Sequence, residues 1–196
     1  MWKRPWNSVL EHDLSEPSVS WFKGAQLNIT ENCIDRHLEH NGVKTAIIFE
    51  PNDQNEEPLH ITYAELAIQV KKTANMLKSL GAKKGDRMCL YMPMVPELAF
   101  AVLACARIGA IHSVVFAGFS SKSLSDRIND ASCKFVLTAD GGYRGAKITP
   151  LKNIADDAIK QCPCVEKVLV LKRTNSEIQW TSGRGFCWHE TIEQPS

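Results

Sequence analysis

Residues 87–116 read RMCLYMPMVPELAFAVLACARIGAIHSVVF, and this stretch decides the fold class. Its apolar run at 87–92 predicts a buried strand, and its Ala-rich part at 96–108 predicts a helix. Proline at the first helical position and glycine after the last one are typical bounds of a helix. A second strand is predicted at 111–116. Because two strands separated by a helix are joined by a crossover, the stretch favours a parallel sheet.

The same alternation continues towards the C-terminus. Helices are predicted at 120–131 and 150–160, and strands at 135–139 and 167–172. After residue 173 the pattern loosens, and no element is predicted to close the fold. Together these segments predict an α/β protein, in which a layered sheet is built from mainly parallel βα units with helices on both faces.

The sequence before this core predicts a hairpin followed by a helix. Residues 45–50 and 59–61 have the composition of two strands, and the polar loop PNDQNEEP separates them. Thr62 and Glu65 form a T-x-x-E capping box, which is typical of a helix start. Gly81 supplies the signal for the end of that helix.

The chain is predicted to divide into two parts. Residues 1–44 form an N-terminal arm and a short helix, and residues 45–196 form an incomplete α/β part of a larger domain. The arm is rich in aromatic residues and contains two prolines, so we expect it to be irregular and packed over the core. The short helix is predicted at 32–40.

Composition and charge exclude several functional classes. A formal net charge of +1 gives no electrostatic basis for binding nucleic acid or an acidic membrane surface. The longest apolar-rich stretch, 98–111, is interrupted by Arg107 and is too short to span a bilayer. The seven cysteines are odd in number and include no C-x-x-C pair, which argues against disulfides and against structural zinc. We therefore expect a soluble, cytoplasmic protein with reduced thiols and no bound metal.

The loop at 140–149 is the most informative candidate site. Ligands of open parallel sheets bind at the loops that follow the strands, and this loop combines glycines with Arg144 and Lys147. Glycine permits close backbone approach to a ligand, and the two cations would attract a phosphate. The P-loop pattern G-x-x-x-x-G-K-[ST] does not match here. On spacing alone, an exposed turn with solvated basic residues is the simpler interpretation.

A second candidate loop, at 117–121, places Phe116 beside Gly118 after a predicted strand. An aromatic ring at this place would stack on a nucleotide base, whereas the alternative interpretation makes Phe116 and Phe119 core residues. His112 lies in an apolar strand and is interpreted as a core histidine. No catalytic set emerges from the spacing. The residues by themselves therefore predict an α/β domain with possible anion-binding loops.

Several blocks of the sequence resemble a known family. Lys84-Gly-Asp-Arg87, followed by YMPMVPEL at 91–98, resembles the acyl-adenylate-forming enzymes. The block LACARIGAIHSVVF at 103–116 is similar to the acetyl-CoA synthetases in particular. Trp21-Phe-Lys-Gly24 and Lys167-Val-Leu-Val170 agree with the same family, so the resemblance covers nearly the whole chain.

The resemblance implies a reaction and a binding site. That family joins acetate to ATP, releases pyrophosphate and transfers the acetyl group of acetyl-AMP to CoA. ATP, acetate and CoA are thus the implied substrates of a complete enzyme, with Mg²⁺ as its metal. In that family, the segment that matches Arg144, Gly145, Ala146 and Lys147 contacts the phosphorylated end of CoA. The segment that matches Phe116, Ala117 and Gly118 lies beside the CoA adenine. Lys147 stands where the family often has arginine, so it keeps the charge without the bidentate fork.

Other parts of the family's machinery have no counterpart in this sequence. These are the Ser/Thr/Gly-rich phosphate loop with its lysine, the acetate pocket and the C-terminal domain with its catalytic lysine. We therefore expect an N-terminal fragment of an AMP-forming acetate–CoA ligase, which supplies scaffold and part of the CoA site, carries no catalytic residue and is inactive alone. Its origin as a cut or natural short product and its oligomeric state stay open. A propionyl-CoA synthetase fragment and a non-catalytic nucleotide-binding module are the alternatives.

Overall fold

The computed structural model describes residues 2–53 and 55–193 and contains eleven strands and seven α-helices within them. In chain order the elements are β1 (Ser8–Asp13), β2 (Ser18–Lys23), α1 (Ile29–Cys33), a 3₁₀ turn (Asp35–His37), α2 (Leu38–Asn41), β3 (Thr45–Phe49), β4 (Leu59–Thr62), α3 (Tyr63–Ser79), β5 (Arg87–Tyr91), α4 (Pro96–Ile108), β6 (Ile111–Val114), α5 (Ser121–Ala131), β7 (Phe135–Ala139), β8 (Gly142–Arg144), β9 (Lys147–Thr149), α6 (Leu151–Ile159), β10 (Lys167–Leu171), β11 (Gly185–Cys187) and α7 (Trp188–Ile192).

A five-stranded parallel sheet with the order β11-β10-β7-β5-β6 lies at the centre. All five residues of β7 are buried, and only the first residues of β5 and β10 are partly exposed. A parallel strand covered on both faces needs apolar residues throughout rather than in alternation. This burial explains the continuous apolar runs of the sequence and confirms the predicted α/β class.

The helices cover both faces of this sheet because the chain changes direction across it. The chain moves from β5 outward to β6 and then returns past β5 to β7, so right-handed crossovers place α4 and α5 on opposite faces. Helix α3 packs against α4 and α7, while α5 packs against α6. Side chains such as Leu90, Leu137 and Leu169 are fully buried between these layers.

The predicted capping box at the start of α3 is present. The Oγ1 of Thr62 accepts a hydrogen bond from the backbone N–H of Glu65 at 3.2 Å, and Glu65 Oε2 accepts one from the N–H of Thr62 at 2.8 Å. The predicted hairpin of β3 and β4 also pairs in antiparallel register. The helix predicted at 96–108 has those bounds, and Gly109 ends it in the left-handed conformation with φ 76°.

The N-terminal arm differs from the irregular segment that was predicted. Strands β1 and β2 form an antiparallel hairpin, and Trp2, Trp6 and Phe22 form a cluster with ring centroids 5.2–5.5 Å apart. Almost every residue of this hairpin is exposed, so no alternation of burial marks its strands in the sequence. The helix predicted at 32–40 is divided into α1, the 3₁₀ turn and α2.

The C-terminal part also differs from the prediction. No element was predicted after residue 173, but two are present there. Strand β11 adds an edge strand to the sheet, and α7 packs on β10 and β11. The loop predicted at 140–149 contains a short antiparallel hairpin, β8–β9. The proposed division of the chain after residue 44 stays a prediction.

Helices long and apolar enough to cross a membrane do not occur in the two described ranges. All seven cysteines are free thiols, and five of them are buried.

Candidate functional site

The carboxyl ends of β5, β6, β7 and β10 lie along one edge of the central sheet. Parallel strands bring the loops that follow them to the same side, which is where open α/β sheets bind ligands. The two loops that carry the predicted CoA contacts both begin at this edge, one after β6 and one after β7.

The β8–β9 hairpin presents the predicted phosphate contacts at its tip. Arg144 and Lys147 are paired across the two strands, and Gly145 and Ala146 form the turn between them. Gly145 has φ 59°, a left-handed conformation that favours glycine, and no atom lies within 4 Å of the position its Cβ would take. Both cations are exposed, so the hairpin offers two positive side chains around an open backbone.

Asp140 holds the base of this hairpin in place. The residue is 1% exposed, and its carboxylate accepts hydrogen bonds from the backbone N–H groups of Gly141 (2.7 Å), Arg173 (2.8 Å), Thr174 (3.0 Å) and Ser176 (3.0 Å). Burial acts to raise the pKa of Asp140, but these N–H donors outweigh burial and hold the pKa below its ordinary value. The ionised carboxylate therefore joins the loop after β7 to the loop after β10.

Gly141 and Gly142, which precede the hairpin tip, have a different structural role from Gly145. A Cβ on Gly141 would lie 2.6 Å from Oγ1 of Thr174, and a Cβ on Gly142 would lie 3.2 Å from Pro93 and from Leu151. Both glycines therefore allow the hairpin to pack closely against its neighbours. Only Gly145 is free of such packing among the three.

A cavity of about 490 Å³ lies beside the hairpin tip, between it and the loop after β3. The side-chain amide of Asn52 donates a hydrogen bond to the carbonyl of Gly145 at 3.0 Å, which connects the two loops. The guanidinium of Arg173 lies 5.2 Å from the Tyr143 ring centroid and 3.8 Å from Glu56 Oε2. Arg173 is thus a third cation close to the turn.

The loop after β6 presents Phe116 to solvent. This ring is 64% exposed and meets Phe119 edge-to-face at 5.8 Å, so the interpretation of Phe116 as a core residue is wrong. Tyr91, at the end of β5, supports the loop by donating its hydroxyl to the carbonyl of Phe119 at 2.8 Å. Gly118 allows the Phe116 ring to lie across the backbone, because a Cβ there would be 2.4 Å from that ring.

The structure brings the two predicted contact segments to the same edge but not into contact with each other. Strand β5 separates β6 from β7, so the origins of the two loops are roughly 10 Å apart at ordinary strand spacing. A ligand that touches both segments must therefore be extended. The partly buried His112 lies in β6, and burial lowers its pKa.

Three residues of this region were not identified from the sequence. Asp140 had a local signal, because it directly follows a buried strand and precedes two glycines. Asn52 and Arg173 had none, because they reach the hairpin only through the tertiary fold. A group of three or more His, Cys, Asp or Glu side chains able to hold a metal ion is absent from residues 2–53 and 55–193.

Two family profiles match the chain and together cover most of it. The AMP-binding enzyme profile matches residues 34–191, and the profile of the acetyl-coenzyme A synthetase N-terminus matches residues 1–33. The first of these covers the whole α/β sheet together with both candidate loops.

Curated relatives and a solved structure agree with these profiles. The chain is 53% identical over 195 residues to acetyl-coenzyme A synthetase 2 of Pseudomonas aeruginosa and 52% identical over 195 residues to acetyl-coenzyme A synthetase of Magnetococcus marinus. Each alignment covers 100% of this chain and 30% of the relative, so the chain spans about a third of their length. The structure of acetoacetyl-CoA synthetase from Streptomyces lividans is similar with a TM-score of 0.86 and 25% identity, over 100% of this chain and 29% of that one.

Proposed function

Because this chain belongs to the AMP-binding enzyme family, we propose that it is the N-terminal part of an AMP-forming acetate–CoA ligase. The observation that carries this proposal is the identity of about half of its residues, along its entire length, with proteins named acetyl-coenzyme A synthetase. The complete enzyme would convert ATP, acetate and CoA into acetyl-CoA, AMP and pyrophosphate through acetyl-AMP. This chain would supply scaffold and part of the CoA surface.

The β8–β9 hairpin is the proposed contact for the phosphorylated end of CoA. Arg144 would donate two parallel hydrogen bonds to a phosphate, and Lys147 would add a point charge. Gly145 leaves its backbone open to the ligand. Asp140 fixes the base of the hairpin through the N–H of Gly141, and Asn52 fixes the turn through the carbonyl of Gly145. Such a preorganised loop loses little conformational freedom when it binds.

The loop after β6 is the proposed contact for the CoA adenine. The exposed ring of Phe116 would stack on the base, and Ala117 and Gly118 would form the adjacent backbone surface. The distance of roughly 10 Å between the two loop origins is within reach of the nucleotide part of CoA, in which the ribose joins the base to the phosphates.

ATP, acetate and Mg²⁺ belong to the proposal at the level of the longer enzyme. We propose no described residue as a contact for ATP or acetate, and none as a ligand of Mg²⁺. The proposed partners are accordingly small molecules, and the proposed location is the cytoplasm, where the seven free thiols would stay reduced.

Arg144→Ala in the longer enzyme tests the CoA contact. Loss of one charged hydrogen-bonding group is worth about 1.5–3 kcal/mol, so the KM for CoA should rise roughly tenfold to a hundredfold. The KM for ATP should change much less. Arg36→Ala, which removes an exposed arginine from the 3₁₀ turn, is the matched control. An unchanged KM for CoA, or an equal rise for ATP, contradicts the assignment of Arg144.

Turnover by the 196-residue chain tests its status as a part of an enzyme. We expect negligible formation of AMP that depends on acetate and CoA, because the family's phosphate loop, acetate pocket and catalytic lysine have no counterpart in this sequence. Robust turnover would refute that expectation. In the longer enzyme, comparison of kcat/KM for acetate and for propionate decides between the acetate assignment and a propionate-specific relative.

A further inference from the structure

A groove between α3 and α4 contains an unusual concentration of positive charge. Its volume is about 590 Å³, and its lining includes Lys71 and Lys78 from α3, Lys84 from the turn before β5, and Arg107 from the last turn of α4. The groove lies at the carboxyl ends of the two helices. It is therefore at the opposite edge of the sheet from the two CoA loops, which follow the carboxyl ends of the strands.

The charge of this α3–α4 groove is balanced only in part. Arg107 Nη2 forms an ion pair with Asp35 Oδ1 at 2.7 Å, while its Nε is buried without a hydrogen-bond partner. Lys71, Lys78 and Lys84 form no ion pair within residues 2–53 and 55–193, and the groove lining contains no acidic side chain there. Four cations at one place contrast with a formal net charge of +1 for the whole chain.

Stabilisation of helix ends explains only a part of this arrangement. Lys78 and Arg107 lie in the last turns of their helices, where a cation favours the negative end of the macrodipole. Two helix ends amount to only about one negative charge in total. Lys71 lies more than two turns before the end of α3, and Lys84 lies outside both helices, so neither has that structural reason to be basic.

We propose that the α3–α4 groove binds a small anion with several phosphates, such as free polyphosphate or the triphosphate group of a nucleotide. Lys71 and Lys78 are seven residues apart on α3, which places them about 10 Å apart along one face of the helix. A chain of phosphates can extend along this face and offer a separate phosphate group to each ammonium group. The floor between them is formed by the small buried residues Ala74 and Ala82, which leave room for the anion.

The phosphates, rather than a base, are the recognised part of this ligand. The described residues that line the groove include no aromatic ring on which a base could stack. Ammonium groups bind phosphate oxygens as point charges and accept several geometries. Binding should therefore weaken steeply as the salt concentration rises.

Calorimetric titration of the 196-residue chain with inorganic tripolyphosphate tests the proposal. We expect saturable binding to the unmodified chain and an affinity at least about tenfold lower for Lys71→Ala/Lys78→Ala, because two charged contacts are lost. Lys44→Ala/Lys122→Ala removes the same net charge from exposed positions outside the groove and should retain the affinity. Circular dichroism of each variant verifies that it is folded.

Two further comparisons separate this site from other sources of binding. Arg144→Ala/Lys147→Ala should retain the tripolyphosphate binding that Lys71→Ala/Lys78→Ala weakens, because the β8–β9 hairpin is at the other edge of the sheet. ATP should bind about as tightly as tripolyphosphate if the groove recognises phosphates alone. Absence of saturable binding overturns the proposal, and so does equal weakening of binding in both lysine double variants. Loss of tripolyphosphate binding in Arg144→Ala/Lys147→Ala also overturns it. So does an ATP complex that is tighter than the tripolyphosphate complex and survives Lys71→Ala/Lys78→Ala.

Discussion

Replacement of Asp140 by asparagine should destabilise the chain strongly although the two side chains have the same shape. The carboxylate accepts from four backbone N–H groups, those of Gly141, Arg173, Thr174 and Ser176. Asparagine has one acceptor oxygen and one amide nitrogen, so at least one of these N–H groups would face another donor. Loss of the charge weakens the remaining bonds. We expect the free energy of unfolding to fall by about 2–4 kcal/mol at neutral pH.

Urea denaturation of the 196-residue chain, followed by circular dichroism, measures this difference. Asp157→Asn is the matched control, because it makes the same chemical change at an exposed ion pair with Lys160. Exposed pairs contribute about 0–1 kcal/mol, so the control should stay close to the unmodified chain. The two variants together separate the effect of the four N–H bonds from a general effect of lost negative charge.

The pH dependence gives an independent measure of the same interaction. The N–H donors lower the pKa of Asp140 in the folded chain, so its stabilising effect is complete above the pKa of the unfolded chain, about 3.9. The effect is lost as the pH falls from there through the folded-state pKa. The difference in stability between the unmodified chain and Asp140→Asn should accordingly narrow below about pH 4. If Asp140→Asn lowers the free energy of unfolding by less than about 0.5 kcal/mol at neutral pH, the stabilising role of this carboxylate is refuted.

Three other substitutions or reactions test separate parts of the structure. Thr62→Ala removes the capping box of α3 and should lower the unfolding free energy by about 1 kcal/mol, and an unchanged urea midpoint would contradict the reasoning. Gly141→Ala brings a methyl group within 2.6 Å of Thr174 Oγ1 and should destabilise the chain by about 1–3 kcal/mol in the same titration, whereas a neutral result would mean that the hairpin base can move apart. Cys33 is exposed and should react with a thiol reagent at neutral pH, whereas burial raises the pKa of Cys105 to about 12 and should protect it until the chain unfolds. Rapid modification of Cys105 in the folded chain would be the contrary result.

The elements predicted well from the sequence are those that are buried on two faces. Strands β5 and β7 are continuous apolar runs because helices cover both sides of them, and burial of this kind leaves a signal in composition alone. The β1–β2 hairpin left no such signal, because nearly all of its side chains are exposed. Strand β11 has only three residues and joins the sheet at its edge, so its sequence is too short to show a period.

The candidate site was predictable only where its residues are close in sequence. Arg144 and Lys147 stand near each other after a buried strand, and the hairpin pairs them across its turn. The contact of Asn52 with Gly145 joins residues 93 positions apart, and the ring contact of Arg173 with Tyr143 depends on the pairing of β7 with β10. Contacts of this kind follow from the packing of the finished fold, and no local pattern of residue types marks them.

Asp140 also has a consequence for the kinetics of folding. Three of its four donors lie 33–36 residues further along the chain, beyond α6 and β10. Those bonds cannot form until β10 has taken its place beside β7, and we expect this step to follow the transition state of folding. Interactions that are absent from the transition state act mainly on the rate of unfolding. The carboxylate would then prolong the lifetime of the folded sheet edge while leaving the speed at which the sheet assembles almost unchanged.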